Sequence, residues 1–178
     1  YKDGYKLFED QKCIDNNIFK KQLLKWINMY PIISIEDPFA EEDIDLFSNF
    51  KLEAPSYLQI VGDDLVVTNP ELIKLAHKKK AINTVLIKPN QIGTISETYD
   101  ALKQSEKLNL HTILSARSGE TEDNFLSDLS IGWNIKQLKV GSFSRSERLS
   151  KWNQCLRVAE DLNNNFAMHT PPNLWDKF

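Results

Sequence analysis

Thr84–Lys88 reads TVLIK: four β-branched or aliphatic residues, then a lysine, with Pro89 directly after it. The run is too short for a typical helix and has no polar alternation. Those traits suit a strand covered on both faces of a parallel sheet. The closing lysine has no place in such a core, so it must emerge at the strand's carboxyl end. The rest of the chain repeats the device.

Four further runs share this form: Ile32–Ile35 (IISI), Leu58–Val61 (LQIV), Thr112–Leu114 (TIL) and Gln137–Val140 (QLKV). Between them lie stretches with helical spacing. Ile18–Met29 carries Phe19, Leu23, Leu24, Trp26 and Ile27, and Thr94–Leu108 carries Ile95, Tyr99, Leu102 and Leu108. Pro70–Lys79 opens with Asn69 as an N-cap and a proline in the first turn. Asp123–Ile131, Ser146–Leu162 and a shorter Glu41–Phe47 complete the set. Regular strand–helix alternation predicts an α/β fold with right-handed crossovers.

A charged residue stands at or near each strand end: Glu36, Asp63, Lys88, Arg117 and, within the last run, Lys139. Their spacing of about 22–29 residues is one strand–helix unit. In an open sheet they would spread along an edge at roughly 4.8 Å per strand. In a closed barrel they converge on one mouth, where barrel active sites lie. Five charges aimed at one point favour the barrel. A complete (β/α)8 barrel has eight strands and about 250 residues. The expectation is therefore part of a TIM-like barrel, about five strand–helix units, with the upstream strands missing from this chain. Such an arc would leave two strand edges and an apolar inner face uncovered. Tyr1 is not the expected start of a natural chain, and Tyr1–Tyr5 reads as a turn entering from the strands expected upstream. Residues 1–162 form the expected domain, followed by an irregular tail over 163–178.

The 178 residues are 41% hydrophobic and 26% charged, ordinary for a soluble globular protein. A net charge of −3 argues against nucleic-acid or membrane-surface binding by bulk charge. No run approaches the roughly 20 apolar residues of a membrane span. His77–Lys80 reads as a solvated helix end. Cys13 and Cys155 are far apart in helix-like sequence, which suits a reduced, intracellular setting and no zinc site. His77 and His111 read as structural or solvent-facing, and His169 in the tail has no assigned role. Trp26, Trp133, Trp152 and Trp175 read as packing residues.

Glu36 and Asp63 end adjacent strands, and hard divalent cations take oxygen ligands of this kind. Two carboxylates are one short of a full set, so a third ligand would come from upstream. Lys88 enters the mouth beside them. A lysine near other cations and partly desolvated titrates low enough to act as a general base. Arg117, Ser118 and the backbone at Gly119 suit a phosphate or carboxylate, and equally a polar turn that caps the next helix. Lys139 adds a second positive charge. Metal, base and anion cradle together describe proton abstraction beside a carboxylate.

SIEDPF (Ser34–Phe39), VGDDLVVTNP (Val61–Pro70), IKPNQIGT (Ile87–Thr94), SARSGETED (Ser115–Asp123) and RSERLSKWNQCLR (Arg145–Arg157) occur in unbroken order. These motifs resemble enolase over about Tyr1–Leu162. The resemblance implies the C-terminal barrel domain of a two-domain, cytoplasmic glycolytic lyase. That enzyme dehydrates 2-phosphoglycerate to phosphoenolpyruvate with Mg²⁺, and it is a homodimer. By position, Glu36 and Asp63 resemble two of three metal ligands, and Lys88 the base at C2. Ser115, Arg117 and Ser118 resemble the substrate loop, with Arg117 and Ser118 facing the phosphate. Lys139 resembles the lysine that pairs with the substrate carboxylate. Asp64 is expected either to orient Lys88 or, equally, to stabilise the turn, and Arg157 resembles an arginine that reaches a glutamate of the partner subunit.

Three departures stand out. The third metal ligand and the family's general-acid glutamate belong upstream of this chain. Ala116 stands where the family places a substrate-contacting histidine. The tail after Leu162 leaves the usual family sequence, and the Pro38–Gly62 segment is about two residues longer. The 178-residue piece alone is expected to be inactive, and its full-length parent impaired. The competing reading, motivated by Ala116 and the tail, is a non-catalytic enolase-like subunit of a cytoskeletal or ciliary assembly. The phosphate-loop motif and Lys139 disfavour a superfamily member acting on another carboxylate.

Overall fold

The structure, a computed structural model, describes residues 4–6, 13–163 and 165. A small antiparallel pair comes first, β1 (Tyr5–Lys6) with β2 (Cys13–Ile14), followed by α1 (Asn16–Met29). The main sheet then builds by strand–helix steps. Its elements are β3 (Ser34–Glu36), α2 (Ile44–Glu53), β4 (Gln59–Gly62), α3 (Pro70–Lys78), β5 (Thr84–Ile87), the short α4 (Pro89–Ile92), α5 (Ile95–Lys107), β6 (His111–Ser115), α6 (Phe125–Gly132), β7 (Leu138–Lys139) and α7 (Ser146–Asp161). The strand order is β3-β4-β5-β6-β7, and every pairing is parallel.

Local chemistry starts the helices. Asp15 accepts hydrogen bonds from the amides of Asn17 and Ile18 and caps α1. Asn69 does the same for α3 through Glu71 and Leu72, with Pro70 in its first turn. At α5 the Thr94 hydroxyl accepts the amide of Glu97 and donates to its carboxylate.

Register explains what faces where. Partners in a parallel pair share a face, and side chains alternate along each strand. Glu36 is opposite Val61, Val61 opposite Thr84, Leu86 opposite Ile113, and Ser115 opposite Lys139. One face therefore carries Ser34 and Glu36, Val61 and Asp63, Leu86 and Lys88, Ile113 and Ser115, then Lys139. Its apolar part is a small buried cluster of Val61, Leu86 and Ile113. The other face presents Ile60, Val85, Ile87 and Leu114 to the large core under the helices. That core includes Phe39, Phe47 and Phe50, with Phe39 edge-on to both partners.

The sheet is curled. Lys139 on β7 places its ammonium 2.6 and 2.7 Å from the two carboxylate oxygens of Glu36 on β3. Four strand intervals in a flat sheet measure about 19 Å, more than these two side chains bridge together. The arc is half of a barrel. Among the described residues, β3 pairs only with β4, and β7 only with β6.

Several boundaries differ from the sequence reading, because pairing rather than hydropathy sets strand ends. Ile32 and Ile33 precede β3, and Glu36 joins it through Val61. β6 begins at His111, whose partner is Thr84. The second helix runs later than Glu41–Phe47, which buries Phe50 as well as Phe47. Cys13 lies in β2, not in helix-like chain. The β1–β2 pair and α4 are additions. Tyr5, read as part of a turn, is in β1, while Tyr1–Asp3, His169 and Trp175 lie outside the described residues. No helix among the described residues is long and apolar enough to cross a membrane.

Phe50 is fully buried and Leu52 is largely exposed. Phe50→Ala is expected to cost about 3–5 kcal/mol in urea unfolding of the intact protein. Leu52→Ala, two residues away, should stay within roughly 0.5 kcal/mol.

Candidate active site at the mouth of the strand arc

Two acid–base pairs stand side by side at the carboxyl ends of the strands. Glu36 accepts from Lys139, half in solvent. Asp63 accepts from Lys88 in a buried contact, each residue only 7% exposed. Ionised groups are rarely this buried unless paired, so each of the second pair holds the other in place.

The backbone around them is fixed by a second set of polar contacts. Asp37 has a positive φ of 37°, a conformation that aspartate tolerates better than most residues. Its two carboxylate oxygens accept the amides of Asp63, at 2.9 Å, and Asp64, at 2.6 Å. Burial pushes the Asp37 carboxyl up to about 6, against the lowering effect of those two amides. Thr68 is fully buried; its hydroxyl accepts the amide of Lys88 and donates to Gln91. Gln91 in turn lies 3.4 Å from a carboxylate oxygen of both Asp63 and Asp64. The Asp64 carboxylate accepts from Gln91, and the carboxylate that Lys88 donates to is Asp63. The tightest acidic group among the described residues is Asp37, Asp63 and Asp64, with oxygens within 4.8 Å of one another. Glu36 ends the adjacent strand, with Lys139 on its carboxylate.

The loop after β6 forms the other wall. The buried Ser115 hydroxyl donates to the Ala116 carbonyl, and the Ala116 amide donates to the Lys139 carbonyl at 2.9 Å. Arg117 is exposed, with its guanidinium on Asn90 and its amide on Glu120. A cavity of about 340 Å³ opens here, lined by Lys88, Ala116, Arg117, Ser118, Lys139 and Arg148 among others. Four cationic side chains line this one cavity, a lining whose charge suits an anion. The methyl of Ala116 forms part of its wall and brings no polar group. The loop does not run straight into a helix at Asp123. That residue accepts the amide of Phe125, where α6 starts. Arg157 lies on α7, exposed, with Gln154 as its partner.

The sequence reading missed Asp37, Thr68, Gln91, Glu120, Arg148 and Lys151. Each acts by holding a backbone or a neighbour, and single polar side chains give no periodic signal for that. Only their position inside the quoted motifs could have drawn attention to them.

The family model described as "Enolase, C-terminal TIM barrel domain" matches residues 3–172. The chain belongs to the enolase family. The enolase of Bdellovibrio bacteriovorus is 48% identical over 137 residues, covering 77% of this chain and 32% of that one. Enolase 1 of Entamoeba histolytica is 52% identical over 135 residues, covering 76% and 31%. The enolase of Mastigamoeba balamuthi is 44% identical over 169 residues, covering 93% and 38%. The chain spans 31–38% of the length of these curated enolases. The five-stranded parallel arc is that family's C-terminal barrel fold.

Thr68→Val preserves the side chain's shape and its branching at a positive φ, but leaves the buried Lys88 amide without an acceptor. The loss should be about 1–3 kcal/mol in urea unfolding of the intact protein. Thr68→Ser, which retains the hydroxyl, should lose clearly less.

Proposed function

We propose that the full-length parent is a phosphopyruvate hydratase, a lyase that dehydrates 2-phosphoglycerate to phosphoenolpyruvate. The observation that carries this reading is the anion cavity bounded by Lys88, with two paired carboxylates next to it. A passive scaffold needs neither a buried lysine beside a cavity nor a cationic wall.

Lys88 is the base. Once the ammonium paired with Asp63 has released its proton, the free amine takes the proton from C2 of the substrate, and the buried site limits competing proton exchange with water. Lys139 pairs with the substrate carboxylate and so fixes the orientation of C2. Arg117 and Ser118 hold the phosphate, a planar fork and a hydroxyl matched to its oxygens, and Ser115 supports them from the strand end. Loss of the C3 hydroxyl as water requires a proton donor, a role for the family's glutamate elsewhere in the parent. As it leaves, the electrons of the C2–H bond form the C2–C3 double bond.

Glu36 and Asp63 fit a hard divalent cation, since both offer oxygen donors. Each already carries a cation's charge in the form of a lysine ammonium. We assign the metal as Mg²⁺, with the third carboxylate contributed by the remainder of the parent. When bound, it supplies Lewis-acid stabilisation of negative charge on the substrate carboxylate. Arg157, exposed on α7, is assigned to the homodimer contact.

Ala116 sets the expected rate. A buried contact to a charged ligand is worth about 1.5–3 kcal/mol, so its loss costs roughly one to two decades. The full-length parent should convert 2-phosphoglycerate slowly in the presence of Mg²⁺, and Ala116→His should accelerate it by about 10–100-fold. Lys88→Met should remove roughly a further 10²–10⁴-fold. If parent and Ala116→His both fold and neither turns over, the non-catalytic reading holds: an enolase-like subunit of a cytoskeletal or ciliary assembly.

A further inference from the structure

The loop after β6 has hydrogen bonds of its own, but these are not its only support. It is tied down from outside by two basic residues one turn apart on α7. The guanidinium of Arg148 donates to the carbonyls of Arg117 at 2.5 Å, Ser118 at 2.9 Å and Val140 at 3.0 Å. One fork therefore joins the loop after β6 to the end of β7. Lys151 is fully buried, donates to the Thr121 carbonyl at 2.6 Å and pairs with Glu120 at 3.0 Å. The other oxygen of Glu120 accepts the Arg117 amide at 2.8 Å. A fully buried lysine is rare and costly unless every contact is made. Here both partners of its ammonium, Thr121 and Glu120, belong to one loop segment.

We propose that Arg148 and Lys151 are positioning residues that set the anion affinity of the site by holding the Arg117–Thr121 backbone in one conformation. The proposal rests on the reading of this loop as the phosphate cradle. Carbonyls are the natural repellents of an anion. By drawing those of Arg117, Ser118 and Thr121 towards α7, the two cations leave the cavity to side-chain donors. Lys151 does not line the cavity, so its influence on a ligand is exerted through Glu120 and Thr121. Arg148 does line it, and its guanidinium is already committed to three carbonyls. A positional fault of about an ångström at a site of this kind costs up to roughly a hundredfold.

The test uses the full-length parent and two readouts. The first is binding of inorganic phosphate by calorimetry, which needs no turnover. The second is the split between KM and kcat for 2-phosphoglycerate. The decisive variant is Glu120→Gln with Lys151→Met, which leaves net charge unchanged while removing the ion pair. Phosphate affinity should fall about tenfold, and KM should rise by a similar factor while kcat changes much less. Arg148→Lys keeps the charge and loses the fork, and should give a smaller loss in the same direction. Where the paired variant does not fold, Arg148→Lys carries the test alone. Phosphate affinity within twofold of the parent in the folded variants overturns the proposal. If the parent itself binds phosphate but does not act on 2-phosphoglycerate, the assigned reaction fails. The phosphate series still decides the role of α7. If the parent binds no phosphate at all, both readings are lost.

Discussion

A lysine at the end of the last strand meets a glutamate at the end of the first, and that contact depends on the curl of the sheet. Lys139 and Glu36 are separated by four strand intervals, yet their charged groups touch. Twist and curl arise from the backbone's own handedness. The outer helices and the large core beneath them hold that curvature. Once the sheet is bent, alternation does the rest. Every second residue on each strand points inward, and at the mouth those positions are Glu36, Asp63, Lys88, Ser115 and Lys139. The chemistry of the site follows from geometry that the apolar residues set.

Charge is balanced inside the mouth rather than by solvent. Two acids meet two ammonium groups, and the surplus of positive charge lies towards the loop after β6. Under the proposed function, the acids take the cation on one side of the mouth and the basic cluster takes the anion on the other. Both sides depend on backbone held from outside them. Asp37 grips the amides after β4, Thr68 grips the amide of Lys88, and α7 grips the loop carbonyls. The chain thus uses one layer of residues to meet a ligand and another to keep that layer still.

The alternation of buried strands and capped helices was legible in the sequence, and so were the charged strand ends. TVLI coincides with β5 because Pro89 and Asn83 bound it sharply. IISI did not match β3, since the last residue that pairs there is Glu36. Arg117, Lys88 and Lys139 could be placed on one cavity from spacing alone, because barrel topology brings strand ends together. The partner of Lys88 could not: Asp63 and Asp64 are adjacent, and which of them points inward follows from the strand register through Val61 and from the amides that Asp37 holds. Arg148 and Lys151 were invisible for a related reason. A basic residue on a helix reads as solvated surface until the fold shows what lies over it.

The claim that the strand arc is curled enough to bring its first and last ends together is tested most directly by distance. In the intact protein, with Cys13 and Cys155 changed to serine, Glu36→Cys and Lys139→Cys would be treated with a short bifunctional thiol reagent. The account predicts an intramolecular cross-link between the two positions, detected by mass spectrometry of the digested protein. Both thiols reacting singly without cross-linking would contradict it, because that is the outcome for strand ends about 19 Å apart in an open sheet.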